Sequence, residues 1–530
     1  LALEKDFERD FYRLFNPRSI AVVGASNQPG KWGFLLPMNI IGGGYRGKLY
    51  MVNPGEKRVL GFPAYPSLAQ VPGPVDLVVV AIPARKVPEV VRQAAEKGVK
   101  NVLVVSSNFS EVGGEGAELE RRMAEMANGA GITIVGPNTM GLYSSSSRLL
   151  CIGAPVRPLP GKVGFVSQSG NLGVQMLTWG RRRGLGFSRF VGCGNSANTD
   201  ITDYLEYLGR DPETEVILLY VEGVKNGRRF LEVAAGITPR KPVVVLKTGK
   251  GEQGKRAVLS HSGALAGPYE LFRGAMRQAG ILEVETTEEM LDLAMALSSL
   301  PVPPGARVAV LTLGGGWGVV ATDALEREGL ELSELPPELI RELDPHLPVF
   351  WSRKNPVDLV GNAHRSSHFV ALEALARCGE VDLLVAMGVM FGANYWVEDI
   401  LSTSVRPFLR MLRRGPGALI RYQLSLGKGA RRSVSKRGER SREGSGGINL
   451  LEAWKWSDRA MTRKMLSLMK ETRKPIIPVA VNESELSVSL RFRRARLFTA
   501  MTPERAARVA GHLVRYSRFL RENASGGSGN

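Results

Sequence analysis

The sequence predicts an α/β protein built as three successive doubly wound parallel-sheet units. Three observations carry that prediction. Apolar runs rich in Val, Ile and Leu alternate with helix-forming stretches along nearly the whole chain. The runs are continuous rather than alternating with polar residues, the pattern of strands buried on both faces. The first run of each unit leads into a glycine-rich turn and a helical stretch, and in open parallel sheets ligands bind beyond the carboxyl ends of the strands.

The first unit, residues 1–145, holds the runs SIAVVGAS, KLYMVNP, VDLVVVAIP, KNVLVVSS and GITIVGPN, with room between them for helices such as ARKVPEVVRQAAEKG. SSSSRLLCIGAPVRPLPG then reads as a Ser/Pro/Gly linker. The second unit, 158–300, has its strands in GKVGFVSQSG, FSRFVGCGN, EVILLYVEG, KPVVVLKTG and ILEVET. The third, 305–520, begins at ARVAVLTLGGGWG and continues through VDLLVAMGVM and KPIIPVAVN. Its closing helix, TPERAARVAGHLVRYSRFLREN, has Thr502 as N-cap and Pro503 at the first helical position.

Composition narrows the function classes. With 530 residues, 44% hydrophobic and 23% charged, the chain has the balance of a soluble globular protein with several cores. No apolar run reaches the roughly 18 residues of a spanning helix, so no membrane partner is expected. The N-terminal LALEKDFERDFYRLF is charged and helix-like rather than a secretory signal, and it starts at Leu instead of Met. Cys151, Cys193 and Cys378 lie far apart, without disulfide or metal-ligand spacing, which fits a reducing cytoplasm and no metal site.

The net charge of +19 is uneven. Arg421 to Arg442 carries eight Lys/Arg against one Glu, so this segment supplies +7 of the excess. Lacking an apolar period, it reads as a solvated basic insertion near 424–450 in the third unit. Weak, nonspecific attraction to nucleic acid is the most such a tract implies. The remaining positive balance suits small polyanionic ligands.

The loop after the first strand, VGASNQPGKWG, opens a helix, where free backbone N–H groups favour phosphate. Its spacing excludes a Walker A loop: six residues separate Gly24 from Lys31, and Trp32 stands where Ser or Thr would bind magnesium. It also excludes the dinucleotide fingerprint, whose middle glycine is absent. The second strand ends in Asn53 and Pro54, where a dinucleotide domain offers an acid to the ribose. A phosphate-bearing ligand of another kind remains.

These residues resemble a family. FNPRSIAVVGASNQPGKWG, VNP, AIPA and VGPNTMG look like the CoA-binding domain of NDP-forming acyl-CoA synthetases, the group that includes succinyl-CoA synthetase and ADP-forming acetyl-CoA synthetase. GFVSQSGNLG, YVEGVKN and LSHSGALAG match its second domain in order; LTLGGGWGVVATDALEREGL and NPVDLVG match its third. The resemblance implies a Rossmann-like CoA-binding domain followed by two flavodoxin-like ligase domains. His261 corresponds to the phosphorylated histidine, whose neutral imidazole is nucleophilic near neutral pH. Glu222 corresponds to the acid that orients its ring. Ser167, Gln168, Ser169, Gly170 and Asn171 would bind phosphate from one helix start, and Gly315, Gly316 and Gly318 from another. Coenzyme A would be held by Gly24, Ser26, Asn27, Pro29, Gly30 and Lys31, by Asn53 and Pro54, by Ile82 and Pro83, and by Asn138. Two departures stand out: Leu313 where relatives commonly carry Asn, and Asn108 where Gly is usual.

The implied activity is that of an α-type chain of an acetate:CoA ligase, ADP-forming. It would work on phosphate and a small carboxylic acid, through an acyl phosphate and a phosphohistidine. ADP/ATP with Mg would sit on an ATP-grasp β subunit, in an α2β2-type assembly. Two rivals are weighed against it. A CoA-binding regulatory protein of the same fold needs neither His261 nor Glu222, and a dehydrogenase is disfavoured at Asn53 and by the incomplete glycine fingerprint.

Overall fold

The structure, a computed structural model, describes residues 10–256, 269–360, 365–388, 450–480 and 497–526. His261 and residues 424–449 of the predicted insertion lie outside the described residues. The chain forms two compact units: Leu1–Gly305 with Ser489–Phe498 and Arg508–Asn530, and Ala306–Val488 with Thr499–Ala507.

The first unit holds two sheets. One comprises β1 (Ser19–Val23), β2 (Lys48–Val52), β3 (Arg58–Val59), β4 (Phe62–Tyr65), β5 (Leu77–Val80), β6 (Asn101–Val104) and β7 (Thr133–Val135). Their spatial order is β3-β4-β2-β1-β5-β6-β7, parallel except for β3 on β4. Every residue of β1, β5 and β6 is buried, as continuous apolar runs require. The crossovers include α1 (Trp32–Gly43), α2 (Val87–Glu96) and α3 (Gly114–Gly129). In α2, Val87, Val90, Val91 and Ala94 form one buried stripe at helical spacing.

The other sheet comprises β8 (Gly141–Ser144), β9 (Leu149–Ile152), β10 (Leu159–Ser167), β11 (Gly186–Gly192), β12 (Val216–Val221), β13 (Val243–Lys247) and β14 (Leu282–Val284), in the order β14-β13-β12-β10-β11-β8-β9. Its helices are α4 (Gly170–Arg183), α5 (Ile201–Arg210), α6 (Gly227–Ile237), α7 (Tyr269–Gln278) and α8 (Thr287–Leu297). The five parallel strands β10 to β14 follow the flavodoxin-like order. Asp200 and Asp203 start α5 with a reciprocal capping box.

One expectation is corrected here. Much of the segment read as a linker is the hairpin β8–β9, which pairs antiparallel with β11 and extends the second sheet. Ser145, Ser146 and Ser147 lie in the turn, while Leu142 to Ser144 and Leu149 to Ile152 are buried strand residues. The sequence units also merge: Ile20, Val22, Leu77 and Val79 of the first sheet share an apolar cluster with Val166, Val191 and Leu219 of the second.

In the second compact unit, β15 (Arg307–Thr312), β16 (Glu331–Leu332), β17 (Val357–Asp358), β18 (Leu383–Met387) and β19 (Ile476–Val479) pair in parallel, in the order β16-β15-β18-β19 with β17 also on β15. The described helices that follow along the chain are α9 (Gly315–Arg327), α10 (Pro337–Leu343), α11 (Arg365–Arg377), α12 (Leu450–Thr472) and α13 (Pro503–Gly526), the last belonging to the first unit from Arg508 onward. Thr502 caps α13, its hydroxyl accepting from the Arg505 N–H at 3.3 Å.

Candidate active site

In a doubly wound sheet the crevice opens at the carboxyl ends of the two strands where the winding direction reverses. In the second sheet these strands are β10 and β12, hydrogen-bonded neighbours that end at Ser167 and Val221. The loops that follow them carry the predicted phosphate-binding residues and Glu222.

Gln168 ties those loops together. Its amide nitrogen donates to the Gly223 carbonyl at 2.8 Å, and its amide oxygen accepts from the N–H groups of Glu222 and Gly223 at 2.6 and 3.1 Å. The buried Ser167 hydroxyl donates to the Ser169 carbonyl at 2.7 Å. Ser169 is the extended N-cap of α4 and makes no side-chain cap bond, and the first turn carries no acid. A Cβ at Gly170 would overlap the Met140 side chain, so glycine is required there. Asn171 is exposed. The start of α4 therefore keeps backbone N–H groups and a positive dipole end for an anion.

Glu222 is only 4% exposed. Its main-chain carbonyl accepts from the ammonium of Lys247 at 2.8 Å. Lys247 itself is buried, and that burial pulls its pKa below the ordinary lysine value while the Glu222 charge opposes the shift. The sequence reading gave Lys247 no role. Its signal is a cation closing the apolar strand VVVLK.

The first sheet reverses its winding between β1 and β5. Gly24, just after β1, has φ +87°, and a Cβ there would overlap the Ala81 carbonyl after β5. Gly33 lies so close to the Gly24 carbonyl that α1 packs directly against the turn. Ser26 accepts from the Gln28 N–H at 3.1 Å, while Pro29, Gly30 and Lys31 are exposed at the start of α1, whose first turn has no acid. Asn27 and Asn53 spend their amides on the scaffold. Asn27 bonds the Arg58 carbonyl at 2.9 Å and the Leu60 N–H at 3.0 Å; Asn53 bonds the Ala25 carbonyl at 2.7 Å and the Gly55 N–H at 2.8 Å. Pro54 is exposed beside them.

A chain of bonds carries the edge onward. The Ile82 carbonyl accepts from the Ser106 hydroxyl, and the Ser106 carbonyl accepts from the Asn138 N–H at 2.9 Å. Pro83 lines a cleft of about 470 Å³ with Ala84, Arg85, Asn108 and Val112 among others. Asn108 sits at φ +73°, which explains why glycine suits that position and why Asn, tolerant of the left-handed region, can replace it.

The second compact unit repeats the α4 geometry. Thr312 ends β15, and its hydroxyl donates to the carbonyl of Gly314, the N-cap of α9, at 2.9 Å. Gly315 and Gly316 are exposed in a first turn without acids, whereas Gly318 is buried facing Pro356 and Thr312. Asp358 comes close to Gly315: a Cβ there would stand 3.1 Å from its carboxylate. Leu313 packs against Gly388, whose Cβ would press on it.

Burial raises the Cys151 thiol to about 12 and the Cys193 thiol further, so neither is poised as a nucleophile. Among the described residues no His, Cys, Asp and Glu side chains group as metal ligands, and no helix is long and apolar enough to cross a membrane.

The chain is similar to known proteins. A CoA-binding domain family matches residues 18–145, a succinyl-CoA ligase-like flavodoxin domain residues 160–297, and a ligase-CoA domain residues 308–398. Fold and domain matches thus define a CoA-ligase-type chain with one CoA-binding domain, one succinyl-CoA ligase-like flavodoxin domain and one ligase-CoA domain. Acetate–CoA ligase [ADP-forming] I subunit alpha of Pyrococcus furiosus is 44% identical over 368 residues, 68% of this chain and 79% of that protein. Acetate–CoA ligase [ADP-forming] I of Archaeoglobus fulgidus is 41% identical over 375 residues, 71% of this chain; the chain spans 54% of that relative's length. The chain belongs to the ADP-forming acetate–CoA ligase family. The solved dinucleotide forming acetyl-coenzyme A synthetase 1 of Ca. Korarchaeum cryptofilum, in complex with phosphate and ADP, superposes with a TM-score of 0.80 at 31% identity, over 97% of this chain and 98% of that one.

Proposed function

We propose that this chain is the α-type subunit of an ADP-forming acyl-CoA synthetase, in its simplest form an acetate:CoA ligase. It interconverts acyl-CoA, ADP and phosphate with free acid, ATP and CoA. The observation that carries this reading is the buried Glu222, held by Gln168 beside the acid-free start of α4 at the winding reversal of the second sheet.

A phosphate bound at that helix start attacks the thioester carbonyl. The C–S bond breaks, the CoA thiolate leaves, and an acyl phosphate forms. The His261 imidazole then takes the phosphoryl group and releases the carboxylate. Glu222 accepts the N–H of the ring's other nitrogen and steadies its positive charge. Phosphohistidine finally phosphorylates ADP.

The loop from Gly24 to Lys31 suits the pyrophosphate of CoA, because its exposed residues meet an acid-free helix start. Asn53, with its amide engaged by Ala25 and Gly55, does not serve a dinucleotide ribose. Nucleotide and Mg belong on an ATP-grasp β subunit, in an α2β2-type assembly; the Pyrococcus relatives named as alpha subunits support a partner chain. The cysteines, neither paired nor near one another in sequence, fit the cytoplasm.

The test supplies the purified assembly with acetyl-CoA and radiolabelled phosphate. His261→Ala should lose acid-labile, base-stable label while calorimetry still detects CoA binding. Label retained at near the wild-type level would remove the phosphohistidine route through His261, whereas CoA binding with no label in the wild type would leave a CoA-binding regulatory protein as the better reading.

A further inference from the structure

The main chain of Glu222 is pinned from both sides. Its N–H is held by the Gln168 amide oxygen at 2.6 Å, and its carbonyl by the Lys247 ammonium at 2.8 Å. The second of these contacts is unusual in kind. Lys247 is 6% exposed, it also donates to the Thr248 carbonyl, and its ammonium lies 5.6 Å from the centre of the Phe272 ring. A buried ammonium on neutral carbonyls is costly unless a negative charge is near.

The ionised groups that act on it identify that charge. Glu222 and Glu283 attract it and Lys250 repels it. Glu283 is already bound to Lys250, which bridges Glu283 and Glu285 at 3.0 Å each on the edge strand. Glu222 thus gives the surroundings of Lys247 both a carbonyl acceptor and a negative charge. Among the described residues Tyr220 also feels the Glu222 charge; it bonds to Thr248 at 3.2 Å, and burial above all raises its pKa.

We propose that Lys247 is a positioning residue for Glu222, fixing from the carbonyl side the turn that carries its carboxylate. This rests on the reading of Glu222 as the orienting acid.

The experiment follows phosphoenzyme formation in the assembly from acetyl-CoA over a range of radiolabelled phosphate concentrations. In Lys247→Met the rate at saturating phosphate should fall about tenfold while the half-saturating phosphate concentration changes little, as for loss of an interaction that positions the reacting group. Lys247→Arg, which keeps a donor and a charge, should return the rate towards wild type. In a Glu222→Gln background Lys247→Met should add little, because the two act as one unit. A wild-type rate in Lys247→Met, a loss that Lys247→Arg does not repair, or an equal loss with and without Glu222 would overturn the proposal. Should Lys247→Met fail to fold by thermal melting, Lys247→Gln and Lys247→Arg make the same comparison. A wild-type rate in Glu222→Gln alone would instead overturn the reading of Glu222, and Lys247 with it.

Discussion

Replacing Gln168 tests whether the site is built as a crossing between two loops. Its half-buried amide makes three hydrogen bonds, all to the turn of Glu222 and Gly223. Gln168→Leu keeps the bulk and strands two N–H groups and one carbonyl. A buried group left without its partner costs about 1–3 kcal/mol. At the sheet edge water recovers part of this, so the net loss should be about 2–3 kcal/mol, with the melting temperature falling by several degrees.

The larger effect should be on chemistry. A displacement of about 1 Å at a positioned catalytic group costs roughly 100-fold, so phosphoenzyme formation should fall by about that factor with CoA affinity unchanged. Gln168→Glu separates the two consequences. Its carboxylate can still accept from both N–H groups, but it cannot donate to the Gly223 carbonyl, and it sets a second negative charge beside Glu222. It should melt closer to wild type and still phosphorylate slowly. The assays are thermal denaturation, labelled-phosphate incorporation and CoA calorimetry. A Leu variant that melts low yet phosphorylates at the wild-type rate would refute the crossing as a determinant of Glu222 geometry.

Gly24→Ala and Gly30→Ala separate close approach from backbone strain, since both sites have φ +87° but only Gly24 has neighbours its Cβ would overlap. Gly30→Ala should cost about 1–2 kcal/mol of strain, whereas Gly24→Ala should cost more and weaken CoA binding at least tenfold by calorimetry; equal effects would show the Ala81 contact to be immaterial. A pH dependence follows from Glu289, which lies 2.8 Å from His512. Burial works to raise the Glu289 carboxyl, but bonds from His512 and the Glu285 N–H, with the charges of His512 and Arg508, outweigh it and hold the carboxyl below its ordinary value. A depressed carboxyl contributes stability that is present above about pH 4.3, its unfolded value, and lost as pH falls through the folded value. Glu289→Gln should therefore flatten the acid side of a urea-denaturation profile, and an unchanged slope would exclude this pair as its source.

Much of the fold was legible because parallel strands are buried on both faces and so write themselves as unbroken Val/Ile/Leu runs. Every long run, from SIAVV to KPIIPV, became a strand. The glycine turns after β1, β10 and β15 were legible too, because close approach and free N–H groups restrict the residue type locally. Pairing between distant segments was not. β8 and β9 read as a linker because their identity as strands depends on β11, whose place beside them local composition does not record. Gln168 and Asn53 stood in ligand loops, yet their amides are spent on backbone that only folding brings near. Lys247 was invisible for the same reason: a lysine at a strand end is ordinary until tertiary packing buries it and turns its ammonium onto the carbonyl of Glu222. Strand and turn chemistry act over a few residues and are determined by sequence. Burial of charge and the partners that satisfy it act across the sheet, and the tertiary structure alone decides them.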